Sequence, residues 1–423
     1  MTVKSISRPA RSLAFLTTVL ATSACGAEPG QTVAVAVADT LESGVVVMNN
    51  PAEGLWATSG RWSLVADLTI GSADAAGREI FGRIGAVAVD SGGRIWIVDQ
   101  SVPDVRVFAP DGAFLRTVGR SGQGPGEFRL PSGMHVSPAG TLWVEDGQLR
   151  RIEIFDTAGV RAAGVPTGDR GVRTIAPESA WPAEDTLYRA LPRRDGGRTY
   201  TLDNGVAMTL GAGKDVVRYH WSGTELVPID TVPLPEVPHA PYVVTTRVVD
   251  GRNMPGTGPM PHADPGTLKL GPRGNLWITA GGGVYSIRQQ GLSGDTVRII
   301  NRAFAPVPLP DSTRDRVRQM VTRGTLLGEG SPPESFRAIH AIYPAPDGTL
   351  WVRRQVGIQS YTYEVFDSEG LFLGEPTFDP TIDMGLFRLQ VVTPHALYGV
   401  TRDDLGVERV VRLRIEKPAA ERD

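Results

Sequence analysis

Cysteine is almost absent from this 423-residue sequence, which contains one, Cys25. A single thiol excludes internal disulfides and any cysteine-rich metal cluster, so a packed core must hold the fold. Charge of one sign is lacking too: 43 Lys+Arg face 46 Asp+Glu, a net charge of −3. That balance excludes binding to nucleic acid through a dominant basic face. Familiar hydrolase signatures are missing, with no Gly-x-Ser-x-Gly elbow and no His-Glu-x-x-His helix. The 41% of hydrophobic residues excludes a disordered chain. What is abundant is glycine, 50 residues, and proline, 33. Both are poor in helix interiors and favour turns between short strands.

The first 24 residues read as a signal peptide. Lys4, Arg8 and Arg11 precede an apolar run, Ser12–Thr22, that is too short for a permanent bilayer span. Thr22-Ser23-Ala24 then places small residues before Cys25 and Gly26, which resembles the lipobox of bacterial lipoproteins. The resemblance implies an acylated Cys25 as the first mature residue and a membrane-held protein in the cell envelope, periplasmic or surface-exposed. Thr22 departs from it, leucine being usual there; without acylation, cleavage after Ala24 would give a secreted protein. Removing residues 1–24 takes away three cations and no acids, leaving a net charge of −6. Residues 25–60 are expected to be a tether followed by edge structure.

From Arg61 the chain repeats. A turn and an apolar strand centred on an aromatic occur at Gly93–Val98, Gly140–Val144, Gly274–Ile278 and Gly348–Val352. Weaker copies are centred on Tyr188 and Tyr398. A second hairpin follows most copies, as at Val105–Phe108 with Gly112 and Tyr363–Phe366 with Gly370. Trp96 to Trp143 is 47 positions, and Trp351 to Tyr398 is also 47. Such periods predict propeller blades. The last repeat lacks one strand, which Trp62–Ile70 can supply. The fold is therefore expected to be an all-β, six-bladed β-propeller of four-stranded blades over 61–417, with a tail at 418–423. The N-terminal strand would close it in the last blade. The 89 positions from Tyr188 to Trp277 leave room for a degenerate seventh blade. A loop insertion at 249–265 and a helical insertion at 310–324 complete the layout. The helix would carry an apolar stripe of Val317, Met320 and Val321.

Phe81–Phe155, with Val107-Phe108 and the run Gly119–Phe128, resembles the six-bladed propellers related to NHL repeats. It is most similar to the secreted and lipoprotein branch of this TolB-like fold. The resemblance implies the fold and no particular activity, because that fold hosts lyases, lactonases and binding modules. The glycine run is no phosphate loop, since it leads through Pro125 and Pro131 to a strand rather than opening a helix.

Candidate site residues come from the innermost strands. Eight positions before the aromatics lie Ala88, His135, Ala180, Lys269, Tyr343 and Gln390; ten before lie Ala86, Gly133, Glu178, Thr267, Ala341 and Arg388. Apolar residues alternate with them, so a polar side is expected on the channel. His135, Lys269, Tyr343, Arg388, Gln390 and Glu178 are thus candidate ligand contacts, or else structural polar groups satisfying one another. Asp99 and Asp146, three positions past the aromatic, read as turn residues. The functional expectation is an envelope lipoprotein whose propeller binds a small, anionic ligand, a glycan or a protein, without a cofactor. The alternative is a lyase or lactonase with a divalent metal in the channel. A monomer without nucleic acid is expected in either case.

Overall fold

The computed structural model describes residues 35–57, 60–72, 77–137, 140–166, 173–174, 186–192, 198–201, 207–210, 214–222, 225–233, 241–249, 252–272, 274–291, 293–327 and 331–418. The signal segment, Cys25 and Glu178 lie outside the described residues.

The protein is a six-bladed β-propeller. Its antiparallel blades, numbered one to six in chain order, lie at 84–118, 131–166, 173–233, 268–302, 341–374 and 388–416. In each, the strand that comes first in the chain is at the inner end of the sheet order, and those of blades one, two, four, five and six approach one another around the axis. The repeated glycine has a local cause. Gly93, Gly140, Gly274 and Gly348 all have φ between 77° and 93°, and each closes the turn between the first two strands. A side chain at that left-handed position would be strained.

The repeated aromatic forms the seams. Trp96 of blade one packs with Met134 and Val136 of blade two. Trp277 does so with Ile342 and Leu350 of blade five, and Trp351 with Leu389 and Leu397 of blade six. Each aromatic of these blades therefore binds its blade to the next one. Trp96 and Trp351 are fully buried, and truncating such a residue to alanine typically costs about 3–5 kcal/mol.

Ring closure uses the start of the chain. Ser63–Ile70 pairs antiparallel with Glu408–Glu416, so Leu64 faces Ile415 and Ile70 faces Val410. Preceding residues form a belt around three blades. Val46–Asn50 adds to the outer edge of blade four by parallel pairing with Thr296–Arg302, and Val37–Thr40 adds outside it. Asn50 then joins blades four and five. Its amide donates to the carbonyls of Asn301 and Gly370, and its oxygen accepts from the Phe372 N–H at 2.8 Å. Trp56 packs against Gly374 before the belt reaches blade six.

The 89-residue gap holds an accessory sheet and no seventh blade among the described residues. Tyr242–Val249 pairs with Arg252–Pro259 on one side and Thr325–Leu327 on the other. The expected loop at 249–265 is corrected here: Arg252–Pro259 is a strand. It tolerates Pro255 and Pro259 because it is the sheet's edge, where a missing N–H breaks no ladder. Helix Asp311–Arg323 packs on this sheet, burying Val317 with Val243, Met260 and Ala263. Val317, Met320 and Val321 therefore face the accessory sheet.

Candidate functional site at the propeller mouth

The chain passes from blade to blade on one face, called the upper face here. Strand pairing sets which residues share a side. His135 lies opposite Trp143, Lys269 opposite Trp277 and Tyr343 opposite Trp351. Cross-strand partners occupy the same face, so these three sit at the axial ends of the seams beside the aromatics. Two residues toward the upper face stand Gly133 and Ala341, and Thr267 follows the same spacing. These are small, so they add little side-chain bulk above the polar collar of His135, Lys269 and Tyr343.

The structure brings two of the candidates together. The Lys269 ammonium stands 5.9 Å from the centre of the Tyr343 ring across the blade four–five seam, within cation–π range. His135 is half-buried in blade two, and burial holds its pKa well below the usual 6.5, so its imidazole is neutral. Gln390 departs from the pattern. A bulge between Leu389 and Val391 puts Val391, not Gln390, opposite Tyr398.

Arg388 is turned to a carboxylate. Its Nη2 donates to Glu408 Oε1 at 2.9 Å, and Arg402 donates to the same oxygen at 2.9 Å. The other Glu408 oxygen accepts the Ile84 N–H of blade one. Arg388 thus helps hold the seam at which the ring closes.

Other acids of the upper face are likewise committed. Asp146 accepts from the N–H groups of Arg129, Leu130, Gln148 and Leu149, all at 3.1 Å or less. Asp99 accepts from Ser101 N–H and pairs with Arg106 at 3.0 Å. Both staple the turn after their strand to the linker before the blade. Asp104, beside Asp99 and Arg106, has its pKa pushed up to about 6, chiefly by burial. In blade five, buried Glu364 pairs with Arg302 at 2.9 Å and Arg354 at 2.8 Å, and accepts from the Tyr285 hydroxyl. No group of three His, Cys, Asp or Glu side chains suited to a metal occurs among the described residues.

Arg353 differs from these arginines. It lies opposite Ala341 on the same side of blade five as Tyr343 and is only 8% exposed. Its guanidinium lies 3.7 Å from the centre of the Tyr361 ring. Among the described residues it pairs with no carboxylate, and its buried Nε has no hydrogen-bond partner. His340 sits alongside, its ring 5.0 Å from that of Tyr361 and its buried Nδ1 also without a partner. Burial, then the charges of Arg353 and Arg337, push the His340 pKa down to about 4. Sequence spacing does not single out Arg353, because the recurring acids Asp99 and Asp146 stand at the third position past the aromatic. The second position holds Val98, Glu145, Ala190, Thr279, Arg353 and Val400, where Arg353 is the one cation.

Geometry and family comparison agree on the class of protein. A protein-family profile described as a 6-bladed beta-propeller matches residues 78–152. No curated protein matches the chain. Solved structures similar to it include a Bacteroides fragilis protein assigned as exported, 12% identical, with a TM-score of 0.47 over 88% of this chain and 100% of that one. A Bacteroides vulgatus protein is 9% identical, with a TM-score of 0.48 over 85% and 99%. A catalytically inactive virginiamycin B lyase from Staphylococcus aureus, with quinupristin, is 10% identical, with a TM-score of 0.36 over 83% and 94%.

Proposed function

We propose that this protein is a cell-envelope lipoprotein, held by an acylated Cys25, whose propeller binds a small anionic ligand at its axial mouth. The observation that carries the binding reading is the meeting of Lys269 and Tyr343 from two blades at the channel. A ring that faces an ammonium offers a surface for a flat or sugar-like group, while the ammonium attracts an anion. His135 supplies a neutral hydrogen-bonding group on the same collar.

Calorimetric titration of the purified full chain with acetate and sulfate tests the reading. Lys269→Gln should weaken whichever anion binds by about tenfold or more, an ionic hydrogen bond contributing roughly 1.5–3 kcal/mol. Unchanged affinity in that variant would remove the collar from the site. The anchor is tested separately, since Cys25→Ser should move the protein from the membrane fraction to the soluble one. A stoichiometric divalent ion whose removal abolished a hydrolytic or lyase activity would favour the enzyme reading instead.

A further inference from the structure

We infer that Arg353, with Tyr361 and His340, forms an anion subsite on the upper face of blade five, and that it takes the head of an amphiphilic monocarboxylate. The inference rests on the reading of the propeller as an anion binder and assigns the ligand's class and its principal contact.

A buried guanidinium without a counter-charge is expensive, and elsewhere in this protein the cost is met. Arg106 and Arg354 are as buried as Arg353, and each is paired with a carboxylate. Arg353 has a ring on one face and no acid at its N–H edge among the described residues. A guanidinium stacked in this way is fixed in plane, with its fork of donors set for the two oxygens of a carboxylate. Neutral His340 adds one N–H donor without adding charge. One cation and one neutral donor suit a monoanion better than a phosphate dianion.

The neighbouring surface indicates the rest of the ligand. The turn at 356–360 directly joins the strands that carry Arg353 and Tyr361. It exposes Val356 at 37% and Ile358 at 59%, while Gln355 fixes the turn by donating to the Ile358 carbonyl. Leu386, 48% exposed, follows Gly385, whose Cα packs so tightly on Gln359 of this turn that an added Cβ would lie 2.2 Å from its carbonyl oxygen. Three exposed apolar side chains therefore stand on and beside the turn that joins the strands of Arg353 and Tyr361. An alkyl or aryl body would cover them as its carboxylate reaches Arg353.

Calorimetry with hexanoate, acetate and sulfate on the purified full chain tests this. Hexanoate should bind at least about tenfold more tightly than acetate, each buried methylene contributing up to about 0.8 kcal/mol. Arg353→Gln should weaken hexanoate by about ten- to a hundredfold, and Arg353→Lys should not restore it, because the fork is lost. The exposed variant Ile358→Ser, which leaves the core untouched, should weaken hexanoate and spare acetate. Equal affinities for hexanoate and acetate, or full affinity in Arg353→Gln, would overturn the inference. Loss in Lys269→Gln with full affinity in Arg353→Gln would leave the axial reading standing and sink this one; the opposite pattern would do the reverse. No binding of any probe would sink both.

Discussion

Glu364 shows how much a single buried charge can hold. Its carboxylate is fully buried and joins blade four, through Arg302 and Tyr285, to blade five, through Arg354. Removing one partner from such a group strands the others in a site of low polarity. Glu364→Ala should therefore lower stability by about 3–5 kcal/mol in denaturant unfolding. Glu369→Ala, which breaks the surface pair with Arg298, should cost under about 1 kcal/mol. Equal losses in the two variants would refute the distinction. His340 gives the pH counterpart. Its folded pKa of about 4 lies below its ordinary 6.5, so the unfolded chain takes up the proton first as pH falls. Its contribution is full above 6.5 and is lost progressively toward 4. Asp104, raised to about 6, acts in the opposite sense: its contribution is full below 3.8 and is lost as pH rises through 6. Asp104 and His135 also change their contributions between pH 7 and 4.5, so His340 is read by comparing the drop in melting point of its variant with that of the unsubstituted protein across that interval. The drop should be smaller in His340→Gln than in the unsubstituted protein, and an identical drop would contradict the assignment. At this scale the sequence was a partial guide. Counting from each aromatic places Lys269 and Tyr343 on one collar. It cannot reveal that Glu408, twenty residues on, turns Arg388 aside, nor that Arg353 lacks an acid.

Among elements, those with local causes were the legible ones. The glycine before four of the six aromatics, the turn glycines and the alternating strands all follow from short-range rules, and they define the blades. The role of Ser63–Ile70 could also be read, because a ring with a three-stranded last blade lacks one partner. Pairing of Val46–Asn50 was beyond reach, since nothing near those residues names Thr296–Arg302 as the partner. The accessory strand was hidden by its prolines, which signal a loop unless the strand is known to be an edge. These two uses of the N-terminal region predict different effects of deletion. Removing 63–70 should open the ring, leaving unpaired strands on two blades and causing aggregation. Removing 35–45 takes away only an outermost strand and should leave a monomer. Size-exclusion chromatography decides the matter, and a monomeric 63–70 deletion with unchanged melting would refute closure by this strand.

For the molecule as a whole, the belt has a bearing on time rather than on shape. A chain made from its N-terminus produces the belt and the closing strand before anything they pair with. Asn50 waits for Gly370 and Phe372, Val47 for Ile299, and Leu64 for Ile415 near the end of the chain. Contacts of such sequence separation form late and slowly, because a long loop must close before any of them is made. Throughout that interval the closing strand of one nascent copy is an equally good partner for the last blade of another. Exchange of Ser63–Ile70 between copies is thus the misassembly to which this architecture is most exposed, and its frequency should rise with the concentration of chains still being completed.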